Sequence, residues 1–191
     1  YAHSSDMRSN DEFNGVWNMQ VQGNDEPGPI RMSVSSMIGI PIDLKFAIID
    51  VPNRDVIMNF PQKELIIENK IEDAYDVILI GGQESYVLQM IDDILADIPE
   101  EYSLGQNYPN PFNPTTKIDF ALPRTGDVSL VIYNLMGQQV RTLLAKNMEY
   151  GFHTITWNGL DQSGRPVSSG VYFSELRARS FRQTKKMLML K

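Results

Sequence analysis

Lys117-Ile-Asp-Phe-Ala-Leu-Pro-Arg-Thr-Gly-Asp-Val-Ser-Leu-Val-Ile-Tyr-Asn134 holds two strands and the turn between them. Ile118, Phe120 and Leu122 stand at every second position, the period that turns one face of a strand into a core. Pro123 stops the first strand, and Gly126-Asp127 leads into the second, Val128 to Tyr133. Further on, 134–139 reads as a turn, with Gly137 where a positive φ is needed. Residues 140–144 pair onward. Residues 151–157 form a strand that buries Phe152 or its neighbours together with Trp157. Residues 171–178 and 183–190 form a closing hairpin. About seven strands in roughly ninety residues is the size of an immunoglobulin-like sandwich.

Upstream, Tyr108-Pro-Asn-Pro-Phe-Asn-Pro114 is rich in proline. Each proline fixes its own φ and pushes its predecessor toward extended backbone, so this stretch should lie over a surface with Phe112 and Tyr108 as apolar pegs. Pro99-Glu-Glu marks a boundary. Before it, short β-type runs at 16–21, 30–35, 44–49, 56–60, 64–68 and 74–80 are separated by turn formers, a pattern of antiparallel sandwich. Residues 84–98 are ambiguous: Val87, Ile91, Ile94, Leu95 and Ile98 fit a helical stripe, yet Tyr86-Val-Leu can equally finish a strand. They are read as a strand end passing into an irregular acidic connector. The expected fold is thus all-β, in two sandwich modules: an acidic one at 1–91, a linker at 92–116, and an immunoglobulin-like seven-stranded one at 117–191.

The charge divides the same way. Residues 1–101 carry 19 Asp+Glu against 6 Lys+Arg, whereas residues 102–191 carry 5 against 11. The net −7 of the 191-residue chain supplies no basic surface for nucleic acid. Cysteine is absent, so neither disulfides nor thiolate chemistry is available. No apolar run is long enough to span a membrane, and Tyr1-Ala-His-Ser-Ser has no signal-peptide pattern; if the chain is exported, Tyr1 is expected to be internal to a longer precursor.

From residue 102 onward the order of motifs resembles the C-terminal sorting domain of type IX secretion cargo, a relative of the immunoglobulin-like domain of flagellar hook-capping proteins. The resemblance rests on Asn110, Pro111, Phe112, Asn113 and Pro114 leading into the first strand, then Gly137. It continues through Gly151, His153 and Trp157, the loop glycines Gly159 and Gly164 around Asp161, and the strand start Ser169-Gly170-Val-Tyr172. It closes on the basic-then-apolar end Lys185-Lys186-Met187-Leu188-Met-Leu-Lys191. What it implies is recognition by an outer-membrane translocon, processing by a sortase-like peptidase, and a secreted or cell-surface destination in a bacterium of the Bacteroidota or an allied lineage. Lys185, Lys186 and the strand from Met187 match the part associated with recognition, for which an exposed edge strand is a physical route. The same residues are also explained as apolar closure of the sandwich with solvated lysines. The first module has only a fold-level likeness to the β-rich segment that precedes such domains, which licenses no activity.

Other motifs carry less. Leu122-Pro-Arg-Thr-Gly126 has the letters of a Gram-positive sortase signal, but 65 residues of β-domain follow it in place of an apolar span. Proline followed by glycine suits a turn there. Asp161-Gln-Ser-Gly-Arg lacks the alternating acids of a calcium loop. The acidic groups Asp25-Glu26, Glu72-Asp73 with Asp76, and Asp92-Asp93 admit calcium, although solvated charge is the ordinary explanation. His3 and His153 are the only histidines, and no nucleophile–base arrangement assembles around them. Trp17 and Trp157 read as core residues. No catalytic residue and no cofactor are expected.

The expected function is that of a non-catalytic C-terminal region of a secreted or surface protein. Its role is structural or adhesive, for instance in a filament subunit capable of self-assembly, and its last domain is a sorting and anchoring module. Two alternatives remain: the accessory tail of a secreted hydrolase whose enzyme lies upstream, and a hook-capping-like assembly module.

Overall fold

The structure, a computed structural model, describes residues 14–21, 30–32, 43–58, 65–67 and 75–190. The chain divides into two compact units, Tyr1–Ile98 and Pro99–Lys191. The expectations for residues 1–13, the turn at 23–29, His3 and the acids Asp25, Glu26, Glu72 and Asp73 lie outside the described residues.

In the first unit β1 (Gly15–Val21), β3 (Lys45–Asp50), β4 (Asp55–Met58) and β6 (Tyr75–Gly82) form an antiparallel sheet ordered β1-β6-β3-β4. A separate two-stranded sheet pairs β2 (Ile30–Met32) with β5 (Leu65–Ile67). The edge strand β1 alternates as expected, but the central strand β6 is buried at most positions. Such continuous burial means that both faces are covered. On one face Ile48 and Val77 pack with Met19, Val21, Phe46 and Leu79. The other face carries Ala47, Ile49, Ile78 and Ile80, all buried.

Residues 84–98, expected as an irregular connector, form instead the helix α1 (Glu84–Asp97), which lies against β6 and β3 with Val87 and Ile91 buried. The cause is tertiary. Buried strands need a second cover, and the apolar stripe supplies it. Local signals for the helix are poor: Gln83 at the N-cap makes no side-chain capping bond, and no basic residue sits in the last turn. Arg54, in the left-handed region at φ 57°, donates from Nη1 to the carbonyl of Ile98 just beyond the helix.

The second unit is a sandwich of seven strands. One sheet, β11-β8-β7, comprises β7 (Ser103–Leu104), β8 (Thr116–Leu122) and β11 (Gly151–Trp157). The other, β10-β9-β12-β13, comprises β9 (Gly126–Asn134), β10 (Gln139–Met148), β12 (Gly170–Ala178) and β13 (Phe181–Met189). All pairings are antiparallel, and Ile118, Phe120, Leu130, Ile132, Leu176 and Met187 fill the core. Burying one such side chain stabilises by about 1.5–3 kcal/mol.

Three sequence expectations need correction, and one alternative is decided. Residues 92–116 are not one linker: 92–97 complete α1, while 103–116 belong to the second unit, where Leu104 and Phe112 are in the core. Of the alternatives open for β11, Phe152 or its neighbours, the neighbours face inward: His153, Ile155 and Trp157 do, and Phe152 is 68% exposed. Tyr108 is no peg, at 78% exposed. Trp17 is only half-buried, with its ring over Gly15 and Gly81, where an added Cβ would come within 2.6 and 3.1 Å of it. The Leu122-to-Gly126 stretch is the β8–β9 turn, with Thr125 buried and its Oγ1 accepting from the Tyr150 N–H.

Candidate functional site

The two ends of the sorting-type motif meet. Residues 107–114 run as a strap along the outer edge of β13, the last strand of its sheet. The Phe112 N–H donates to the Leu188 carbonyl (3.0 Å), and the Leu190 N–H donates to the Phe112 carbonyl (2.9 Å). Asn110 Oδ1 accepts from the Leu188 N–H (2.9 Å), and Gln106 Nε2 donates to the Lys186 carbonyl (2.8 Å). These bonds occupy backbone groups that an edge strand otherwise offers to another chain. Of the two readings of this strand, recruitment of a partner by main-chain pairing and closure of the sandwich, the first is not open along the C-terminal half of the edge, because the protein's own strap fills it.

The strap is held in place from both sides. Phe112, 2% exposed, tilts against Trp157 at 5.4 Å between ring centroids, and Trp157 meets Tyr172 edge-on at 5.2 Å. The Trp157 indole N–H donates to the Leu160 carbonyl (3.0 Å), and the Tyr172 hydroxyl donates to the Ser168 carbonyl (2.7 Å). At its base the buried Asn107 donates to the Pro109 carbonyl (3.0 Å) and to Thr116 Oγ1 (2.9 Å), while the Thr116 hydroxyl itself donates to the Pro109 carbonyl (2.9 Å). Pro111, Asn113 and Pro114 are exposed on the outside of the strap.

The glycines divide by cause. At Gly159, φ is +68° and an added Cβ would lie 2.8 Å from the Met189 side chain and 2.9 Å from the Pro114 carbonyl, so strap, loop and last strand close on one point. Gly137 (φ +75°) and Gly164 (φ +79°) have open space around them and are needed only for their turns. Gly170 begins β12 opposite Met189.

Along β13, Met187 is fully buried and Leu188 half-buried, whereas Lys185 is half-buried and Lys186 exposed on the opposite face. The seam thus joins Asn110, Phe112, Lys186, Leu188 and Trp157, while Met187 belongs to the core of the sandwich. Gly137 and Gly164 stand in other loops. The sequence reading missed Asn107, Thr116 and Gln106, and Asn107 and Thr116 were visible only as polar residues flanking a proline-rich run.

Asp161 serves its own loop. Its Oδ1 accepts from the N–H groups of Ser163 (2.8 Å) and Arg165 (2.9 Å), and its Oδ2 accepts from Arg165 Nε (3.1 Å). The backbone bond from Arg165 is the main cause of its lowered pKa; desolvation opposes it, and the Arg165 side chain and the Ser163 N–H add to the lowering. His153 Nε2 lies 2.9 Å from the Glu149 carbonyl, and the ring stacks on Phe120 at 5.2 Å, a packing position. Among the described residues no helix is long and apolar enough to cross a membrane.

Residues 107–180 match the family model described as FlgD Ig-like domain. Among solved structures, FlgD from P. aeruginosa is similar at 18% identity and a TM-score of 0.35, over 48% of this chain and 71% of that one. PorZ of the type-IX secretion system of Porphyromonas gingivalis is similar at 15% identity and 0.33, over 60% of this chain and 14% of that one. Dimeric latent PorU from Porphyromonas gingivalis is similar at 15% and 0.40, over 100% of this chain and 20% of that one. Likeness at these TM-scores carries no inference about role. No curated protein matches the chain. The second unit is thus an immunoglobulin-like sandwich related to the FlgD domain.

Proposed function

We propose that the second unit is a non-catalytic recognition domain, the sorting and anchoring module of a secreted or cell-surface protein exported by a type IX system. The first unit then belongs to a cargo of structural or adhesive role. The observation behind this reading is the seam: Asn110 and Phe112 at one end of the motif bond to the strand carrying Lys186 and Leu188 at the other. Residues far apart in the chain thereby form one continuous feature of the folded surface, as a recognised address requires. The carboxylate of Asp161 and the ring of His153 are engaged in their own loops and packing.

The test is export. The chain, preceded by a signal peptide, is expressed in a bacterium with an active type IX system and in a translocon-deficient strain. Surface or medium localisation only in the first strain is expected. Retention in the periplasm of both strains would reject the reading.

A second reading, a hook-capping-like assembly module, is favoured by the FlgD Ig-like match over 107–180. It predicts binding to a flagellar hook or filament protein in pull-down with the full chain, without dependence on the translocon.

A further inference from the structure

The face of the four-stranded sheet that points away from the core has a distinct chemistry. Register sets Phe173 beside Tyr133 and Lys186, Glu175 beside Val131 and Thr184, and Arg177 beside Arg182. Together with Leu135 from the β9–β10 turn, Tyr133, Phe173, Glu175, Arg177 and Arg182 line an open depression of about 420 Å³.

The turn beside it is unusual. Leu135 and Met136 are 72% and 82% exposed at its tip. Flexibility does not account for this, because the turn is braced. Asn134 Oδ1 accepts from the N–H groups of Met136 (3.0 Å) and Gln138 (2.9 Å), and Asn134 Nδ2 donates to Gln138 Oε1 (2.9 Å). The Gly137 N–H donates to the Asn134 carbonyl (3.0 Å). Two large apolar side chains are thereby fixed in water, where they gain nothing from folding. A preorganised apolar projection next to an aromatic depression is the form of a contact surface.

Its charge specifies the partner. Glu175, the acid in the depression, is buried and already paired with Arg177 Nε (2.6 Å) and Arg182 Nη2 (2.6 Å). The two arginine side chains remain 53% and 65% exposed, and of the five donors on each guanidinium Arg177 spends Nε–H and Arg182 spends Nε–H and one at Nη2 on Glu175, so most remain for a ligand. Lys186 adds a third cation beside Phe173. The one other acid on the strands of this face, Asp127, lies at the far end of β9, held by Asn147 (3.2 Å).

We infer that this face, from the Leu135–Met136 tip across Tyr133 and Phe173 to Arg177, Arg182 and Lys186, docks a protein segment that carries aliphatic side chains flanked by carboxylates. The aliphatic group enters the depression against Leu135 and Phe173, and the carboxylates take the free N–H groups of the arginines. The surface goes beyond the sorting reading and does not depend on it, since export and segment binding are read in separate assays.

The experiment is fluorescence anisotropy on the full chain with a labelled synthetic peptide of leucines flanked by aspartates. Controls replace its aspartates by lysine or its leucines by serine. Saturable binding of the acidic apolar peptide alone is expected. It should weaken by about tenfold or more in Leu135→Ser/Met136→Ser and in Lys186→Glu, and in high salt. These positions are exposed, so the fold should persist, and circular dichroism checks it. Arg182→Gln, which removes a charge without reversing it, serves as the second charge variant. No saturable binding, equal binding of the lysine peptide, or indifference to both kinds of variant would overturn the proposal. Sedimentation showing self-association that is lost in Leu135→Ser/Met136→Ser would overturn it in favour of a second copy.

Discussion

The side chain of Asn110 accepts a 2.9 Å hydrogen bond from the backbone N–H of Leu188, 78 residues later in the chain. That bond does what a neighbouring strand would do: it satisfies a donor on the outer edge of β13. An unpaired donor there is open to water or to another chain. Asn110→Ala should therefore cost about 1 kcal/mol and leave the fold intact. Amide hydrogen exchange should quicken at Leu188 in this variant, while Leu190, bonded to the Phe112 carbonyl, stays protected. Unchanged exchange at Leu188 would contradict the assignment of this bond.

Phe112 anchors the strap through its ring as well as its backbone. Phe112→Ala should lower stability by about 3–5 kcal/mol, the usual effect of emptying an aromatic core position. Urea unfolding followed by Trp157 fluorescence, in a Trp17→Phe background, measures it. A loss below about 1 kcal/mol would show the strap to be peripheral to the core.

Gly159 and Gly164 allow a paired test. Both have positive φ, but only Gly159 is crowded, by Met189 and the Pro114 carbonyl. Gly164→Ala should cost about 1 kcal/mol of backbone strain. Gly159→Ala should cost about 1–3 kcal/mol more, because Met189 or the strap has to shift. Equal unfolding midpoints for the two variants would argue against the close approach.

Glu175 sets an acid limit. Burial raises its pKa, but hydrogen bonds from Arg182 and Arg177, reinforced by their charges, bring it below the ordinary value of 4.5. The folded protein then binds fewer protons at this group than the unfolded chain does. Its stabilising contribution is present above the unfolded pKa and lost as pH falls through the folded one. The urea midpoint of the wild type should drop between about pH 6 and about pH 3 by more than that of Glu175→Gln. Parallel pH profiles would count against the ion pairs.

Much of the second unit was legible because its signals are local. Alternation at Ile118, Phe120 and Leu122 gave β8, and Gly137 marked a turn that does need positive φ. Phe112 was foreseen as an apolar peg, but its partners were not. A proline-rich run reads as a linker when the strand it bonds to lies some eighty positions away, and nothing local to 107–114 encodes that pairing. Tyr108 failed for the opposite reason, and the choice between Phe152 and its neighbours stayed open: aromatic character suggests burial, whereas the register that turns each outward is set by neighbouring strands. Helix α1 was hidden because its apolar stripe also fits a strand end and its caps are weak. The demand that settles it comes from the covered face of β3 and β6. The Leu135–Met136 tip was readable only as a turn, since exposure of apolar residues is a property of the folded surface.

The strap has a consequence for biosynthesis. Phe112 is translated well before Leu188, so a nascent chain holds the strap with no strand to receive it. Emergence of β13 supplies that strand, and only then do the two ends of the domain latch. A polypeptide stopped anywhere short of β13 leaves Phe112, Trp157 and Tyr172 without their cover, a mark that proteases and chaperones read as damage. The latch thus makes closure of the domain wait on β13, whichever part of the chain folds first.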